Sequence, residues 1–169
     1  QLYNPINFPS YFNSTSIKAW WDLENFTITD RTGNGYDGVE FENNTFVAGI
    51  VGNSMSLNGS DGGANVTGIT TDSTWTISAW FNSTNTDNGS THYYIFDSYD
   101  GGSHRVNIVW ANGAIHTDVD GPDYVYVSDI NTINDGEWHL LTAVHNDTEL
   151  KLYLDGNSVL NQTGVASST

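Results

Sequence analysis

The sequence predicts an all-β protein, a two-sheet antiparallel β-sandwich, on three observations. Short runs of alternating apolar and polar residues recur along its 169 residues, Gly, Asn and Asp turn signals separate them at nearly regular spacing, and no stretch carries a helical period. The clearest stretch is Gly136–Gly156, GEWHLLTAVHNDTELKLYLDG. It reads as strands Glu137–His145 and Glu149–Leu154, joined at Asn146-Asp147-Thr148 and followed by a second turn signal at Asp155-Gly156. Trp138, Leu140, Thr142 and Val144 are expected to share one face of the first strand, and Leu150, Leu152 and Leu154 one face of the second. Faces that apolar call for cover by another sheet.

From the start of the chain, residues 1–17 carry Pro5 and Pro9 among scattered aromatics without either periodicity, and are expected to form an extended N-terminal lead-in. Residues 18–169 are expected to form a single domain, with no internal repeat. A strand is expected from Lys18 through AWWDLE and a short one at Phe26–Thr29, ahead of the glycine-punctuated loop Asp30–Gly38. Val39 and Phe41 alternate with Glu40 and Glu42, and short strands are expected within Phe46–Leu57 and at Ala64–Ile69. In Trp75–Asn82, Ile77, Ala79 and Phe81 alternate with Thr76, Ser78 and Trp80. Tyr93–Ser98, Arg105–Trp110, Ala114–Val119 and Tyr124–Val127 complete the set. Asn112-Gly113, between the second and third of these, is the strongest two-residue hairpin signal in the chain.

Composition narrows the function classes. Four basic against twenty acidic residues give a formal charge of −16, which repels phosphate backbones and anionic lipid and argues against nucleic-acid partners. The absence of Cys removes thiol chemistry, disulfides and Cys-based zinc sites. No run approaches the length of a membrane-spanning helix, so membrane insertion is not expected. Nine Asn-X-Ser/Thr triplets begin at Asn13, Asn25, Asn43, Asn58, Asn65, Asn82, Asn88, Asn146 and Asn161, where composition alone accounts for about four. They are candidate glycosylation sites of an extracellular, cell-surface or virion-surface protein.

In order, the segments WDLEN, DRTGNGYDG, GIVGNSMSLNGSDG, STWTISAWF and DGEWHLLTAVHNDTELKLYLDGNSV resemble those of laminin-G-like, concanavalin-A-like lectin/glucanase jelly-roll domains. The resemblance covers about Ala19–Val159. It implies two antiparallel sheets, one concave, with ligands on the concave face or the rim loops, and frequently a calcium ion. The family pattern continues with two further strands, which are expected here to be lacking, or substituted by residues 1–17 or by another subunit through an open sheet edge. The segment that would follow carries an Asp that is a common metal ligand in the family.

Candidate sites follow from chemistry. Calcium needs six to eight oxygens, and Asp30, Asn34, Asp37, Asp61, Asp97 and Asp100 offer them in turns, where Asp and Asn also serve as turn formers satisfying their own backbone. Sugars stack on flat aromatic rings flanked by polar groups. Tyr94, Tyr99, Trp110, His116, Tyr124 and Tyr126 are candidates for that role, while Trp75, Trp80 and Trp138 are expected to pack in the core. Catalysis is not expected. The five Glu do not form the paired-carboxylate pattern of glucanases, although Glu40 and Glu42 share one expected strand face. The sequence therefore points to a non-catalytic extracellular recognition or adhesion module binding glycan or a surface protein. The alternative is a structural subunit of a surface layer, appendage or virion, with a glycoside hydrolase third.

Overall fold

A computed structural model describes residues 16–42, 44–85, 91–99, 105–111, 114–119, 124–126 and 133–165. Its regular secondary structure is almost wholly antiparallel strand, and the chain divides into two compact units, Gln1–Ile69 and Thr70–Thr169. No helix among the described residues is long and apolar enough to cross a membrane.

The first unit holds two two-stranded sheets. In one, β1 (Gly38–Phe41) pairs with β4 (Gly63–Val66), and in the other β2 (Thr45–Ala48) pairs with β3 (Asn53–Ser56). The strands expected at Lys18–Glu24 and Phe26–Thr29 do not form. Isolated bridges Trp21–Asp30 and Ile28–Gly38 stand in their place, around a 3-10 turn at Glu24–Phe26. Leu23, Asn25 and Phe26 all take positive φ, between 55° and 59°, and a run of left-handed residues cannot extend a strand. Among the described residues of this unit only Ile28 and Asp30 are buried. Gly38 is the residue opposite Ile28 because a Cβ there would lie 2.5 Å from the Ile28 Cγ2.

The second unit is the sandwich. One sheet runs β12-β11-β10-β5, from β5 (Thr74–Asn82), β10 (Trp138–Asn146), β11 (Glu149–Leu154) and β12 (Asn157–Thr163). The other runs β6-β7-β8-β9, from β6 (Tyr93–Tyr99), β7 (Arg105–Ala111), β8 (Ala114–Val119) and β9 (Tyr124–Tyr126). Leu141, Ala143 and Leu152 of the first sheet and Ile108, Trp110 and Ile115 of the second close on one another with Ile133, all nearly inaccessible to solvent. Burying two such faces against each other is what makes the pair of sheets stable. Ala111 is paired with Ala114, the register that the Asn112-Gly113 signal implies. β12 was not anticipated. It follows the Asp155-Gly156 turn, whose residues both take the positive φ of a tight hairpin (50° and 79°).

In the central hairpin β11 buries the expected face, with Leu150 and Leu152 inaccessible, but β10 buries the opposite face from the one expected. His139, Leu141, Ala143 and His145 of β10 point into the core, and Trp138, Leu140, Thr142 and Val144 point out. The cause is turn length. The loop is the two residues Asp147-Thr148, so Asn146 pairs with Glu149 and His145 with Leu150. A three-residue turn from Asn146 would have shifted the register by one and exchanged the faces. Trp80, paired with Leu140, is consequently 48% exposed on the outer face of the sheet instead of packed. Trp75 does pack inward, stacked on His145 with ring centroids 5.5 Å apart, and the His145 Nδ1–H donates to the Ser73 carbonyl at 2.8 Å.

Candidate recognition surface

The register of the β6–β9 sheet decides which aromatic residues can meet a ligand. Tyr94, Val109 and His116 form one cross-strand row, and Asp97 and Asn107 lie in the next row on the same face. This face is opposite the one that carries Ile108, Trp110 and Ile115 into the core. Tyr94 is 40% exposed, and its ring stacks with that of His92 at 6.2 Å and 20°. His116 is half-buried, held by its Nε2–H donating to the Ala111 carbonyl at 3.0 Å. Asn107 is 3% exposed, and its Oδ1 has no hydrogen-bond partner among the described residues. Val109, between Tyr94 and His116, and Asn107 are buried (4% and 3% exposed), so what this face offers a ligand lies at its β6 edge. There the Tyr94 ring stands with His92 and the exposed Asp97, an aromatic ring beside polar groups of the kind that read hydroxyls.

Of the aromatic candidates, Tyr94 and His116 thus come together. Trp110 does not, since alternation sends it to the core, where it is 6% exposed. Tyr99 pairs with Arg105, Tyr124 with Thr117 and Tyr126 with Ile115, and their side chains lie outside the described residues. Sequence reasoning missed Asn107 and placed Trp80 in the core. Strict alternation within β5, with Ile77 and Phe81 inward, was the available signal for an outward Trp80.

The metal candidates sit apart along the chain, and their chemistry is that of turns. Asp30 accepts hydrogen bonds from the Trp20 N–H (3.1 Å), the Thr32 N–H (3.0 Å) and hydroxyl (2.7 Å), and the Tyr36 N–H (3.2 Å). Burial works to raise its pKa, and the Thr32, Trp20 and Tyr36 donors more than offset it, leaving the carboxyl below its ordinary value of 3.8. Asp37 accepts from the Asp30 N–H at 2.8 Å, and the Asn34 side-chain amide donates to the Ile17 and Lys18 carbonyls. A carboxylate ringed by N–H and O–H donors does not fit a calcium ion, whose shell is oxygens. Asp61 accepts from the Asn58 side chain, Asp97 is on β6, and Asp100 lies outside the described residues. No group of three or more His, Asp or Glu among the described residues is arranged to hold a metal.

Glu40 lies in β1 on an open hollow of about 240 Å³ with Phe26, Ile28 and Phe46. Glu42 falls beyond the strand at a φ of 58°, so the two do not share a strand face. Among the sequons, Asn25, Asn58, Asn65, Asn82, Asn146 and Asn161 are exposed, and the Asn58 and Asn82 amides donate to Asp61 and to the Gly136 carbonyl. Asn13, Asn43 and Asn88 lie outside the described residues.

One ionic cluster was not anticipated. His139 is held between Asp155, 2.7 Å from Nδ1, and Asp135, 3.2 Å from Nε2, which fastens the segment before β10 and the β11–β12 turn to one imidazole. Two carboxylates on opposite ring nitrogens are both satisfied only by the doubly protonated ring. Burial works to lower the His139 pKa, but Asp155 and then Asp135 outweigh it and raise it above 6.5. Its stabilisation is therefore whole below pH 6.5 and lost as pH rises through the folded value. Thermal stability is expected to decline on the alkaline side of pH 6.5, and His139→Gln to flatten that decline in melting curves from pH 6 to 9. An unchanged slope in the variant would remove His139 as its origin.

Residues 58–169 match the model of the concanavalin A-like lectin/glucanases superfamily. No curated protein matches the chain. Among solved structures, domain 4 of AbnA, an extracellular arabinanase from Geobacillus stearothermophilus in complex with arabinotriose, aligns with TM-score 0.67 at 18% identity over 89% of this chain and 78% of that one. The binding domain of Paraclostridial mosquitocidal protein 1 aligns with TM-score 0.67 at 16% identity over 83% of this chain, which spans 38% of that structure. An S-layer domain-containing protein from Clostridium thermocellum aligns with TM-score 0.51 at 22% identity over 88% of this chain and 73% of that one. At these identities the likeness is one of fold.

Proposed function

The chain belongs to the concanavalin A-like lectin/glucanases superfamily, and from that premise we propose that it is a non-catalytic recognition module of a secreted or surface protein, binding glycan at the β6 edge of the β6–β9 sheet, where Tyr94 is exposed. The observation that carries the reading is the exposed Tyr94 ring, stacked on His92 and in one row with His116. The arabinotriose of the AbnA domain gives the reading a ligand class to try first. A formal charge of −16 favours neutral over anionic sugars.

Titration calorimetry with neutral oligosaccharides, arabino-oligosaccharides included, tests this in calcium and in chelator. Tyr94→Ala is expected to weaken binding roughly tenfold, the loss of one ring contact of about 1.5 kcal/mol. Trp80→Ala, on the other sheet, is expected to leave binding unchanged. Absence of binding to every sugar, or full binding by Tyr94→Ala, refutes the reading. The two conditions separate a calcium-assisted site from a calcium-independent one; of the candidate ligands, the Asp30 carboxylate is already occupied by donors.

A further inference from the structure

The four sheet ends of the second unit are not alike. β12 carries an extra residue, Val159, between the Leu152–Leu160 and Tyr153–Ser158 pairs, and β6 carries Ile95 between the Tyr94–Val109 and Phe96–Ile108 pairs. β9 is three residues long. Bulges and short strands are the usual devices that stop a sheet from growing. β5 has neither: it is nine residues, TWTISAWFN, in unbroken register with β10, without charge or proline.

The phase of its hydrogen bonds is determined. Ser73 accepts from the Asp147 N–H, and Leu140 of β10 turns its carbonyl the other way, toward the Asp155 N–H. Odd-numbered residues of β5 therefore bond to β10, and the N–H and C=O groups of Thr74, Thr76, Ser78, Trp80 and Asn82 point out from the edge. No backbone partner for them occurs among the described residues. The core beside this edge is also less closed. The inward residues Trp75, Ile77, Ala79 and Phe81 are only half-buried, against full burial of Leu141, Ala143 and His145 next to them in β10.

We infer that β5 is a pairing edge for β5 of a second copy of this chain, antiparallel about a two-fold axis through Ser78. This register sets Thr76 opposite Trp80 and Thr74 opposite Asn82 as hydrogen-bonded pairs, and it aligns the inward faces of the two copies. It makes each outward N–H meet an outward C=O. No charged residue of β5 faces another across it, a local neutrality that a protein of formal charge −16 otherwise lacks. The result is one sheet running through both copies. Repulsion between the two acidic bodies opposes it, so the dimer strengthens with ionic strength.

Sedimentation equilibrium over a wide concentration range, at about 0.05 M and 0.5 M salt, tests this. A monomer–dimer equilibrium that tightens with salt is expected. Ser78→Pro removes an edge donor that β10 does not use and is expected to weaken the dimer at least tenfold with the circular dichroism spectrum unchanged. In this cysteine-free chain, Ser78→Cys is expected to yield a disulfide-linked dimer under mild oxidation, since directly opposed hydrogen-bonded residues lie about 5.5 Å apart at Cα. Thr142→Cys, on the neighbouring strand, is expected to stay monomeric under the same oxidation. A monomer at every concentration overturns the inference, as does a dimer untouched by Ser78→Pro. So does hydrogen exchange showing the Thr76, Ser78 and Trp80 amides protected in the monomer, which would mean that another strand holds the edge.

Discussion

Leu141→Ala is expected to destabilise the sandwich unit by about 2–5 kcal/mol, and Leu140→Ala, one residue earlier, by less than about 1 kcal/mol. Leu141 is 1% exposed in the shared core, between Ala79 of β5 and Leu154 of β11. Truncation there removes buried methyl groups and leaves a space that two paired strands cannot close without losing their ladders. Leu140 is half-buried on the outer face beside Trp80, where water takes the place of the lost side chain. Urea unfolding of the two variants reads the difference directly. Equal losses would mean that the hairpin does not have the two-residue register that turns His139, Leu141, Ala143 and His145 inward.

Asp30→Ala is expected to cost about 2 kcal/mol in the first unit, because three backbone N–H groups, from Trp20, Thr32 and Tyr36, lose their acceptor together. Asp30 is 6% exposed, so water does not readily replace the carboxylate. Asp30→Asn keeps one acceptor oxygen and is expected to cost less. The folded carboxyl titrates below its ordinary value of 3.8, so its contribution is present above that pH and lost as pH falls through the folded value. Acid unfolding of the first unit, followed by near-ultraviolet circular dichroism of its tryptophans, is therefore expected to begin at higher pH in Asp30→Ala. An acid midpoint unmoved by the substitution would show that this carboxylate does not hold the loop.

The strands were largely legible because alternation and turn chemistry are local properties. β5, β7, β8, β10 and β11 fall where the periodicity put them, and the glycines and Asp-Gly pairs mark most of the turns between. Lys18–Thr29 was misread because its apolar content imitates a strand, while Leu23, Asn25 and Phe26 take left-handed φ values around a 3-10 turn in which the Glu24 N–H donates to Asp22 and the Thr27 N–H to the Glu24 carbonyl. The candidate surface was legible in part. Tyr94 and His116 were named from residue type, but Trp110 belongs to the other face, and parity within a strand separates them only once the inward set is known.

By itself, then, the sequence determined the class of fold, the positions of most strands and the acidity of the chain. Each follows from short-range pattern or from composition. Tertiary structure alone decided which face of each strand is buried, that Asp30 serves its own loop, and that β5 has β10 as its one paired neighbour among the described residues. Those depend on register, where one residue of turn length exchanges two faces, and on which chains of atoms meet across the fold.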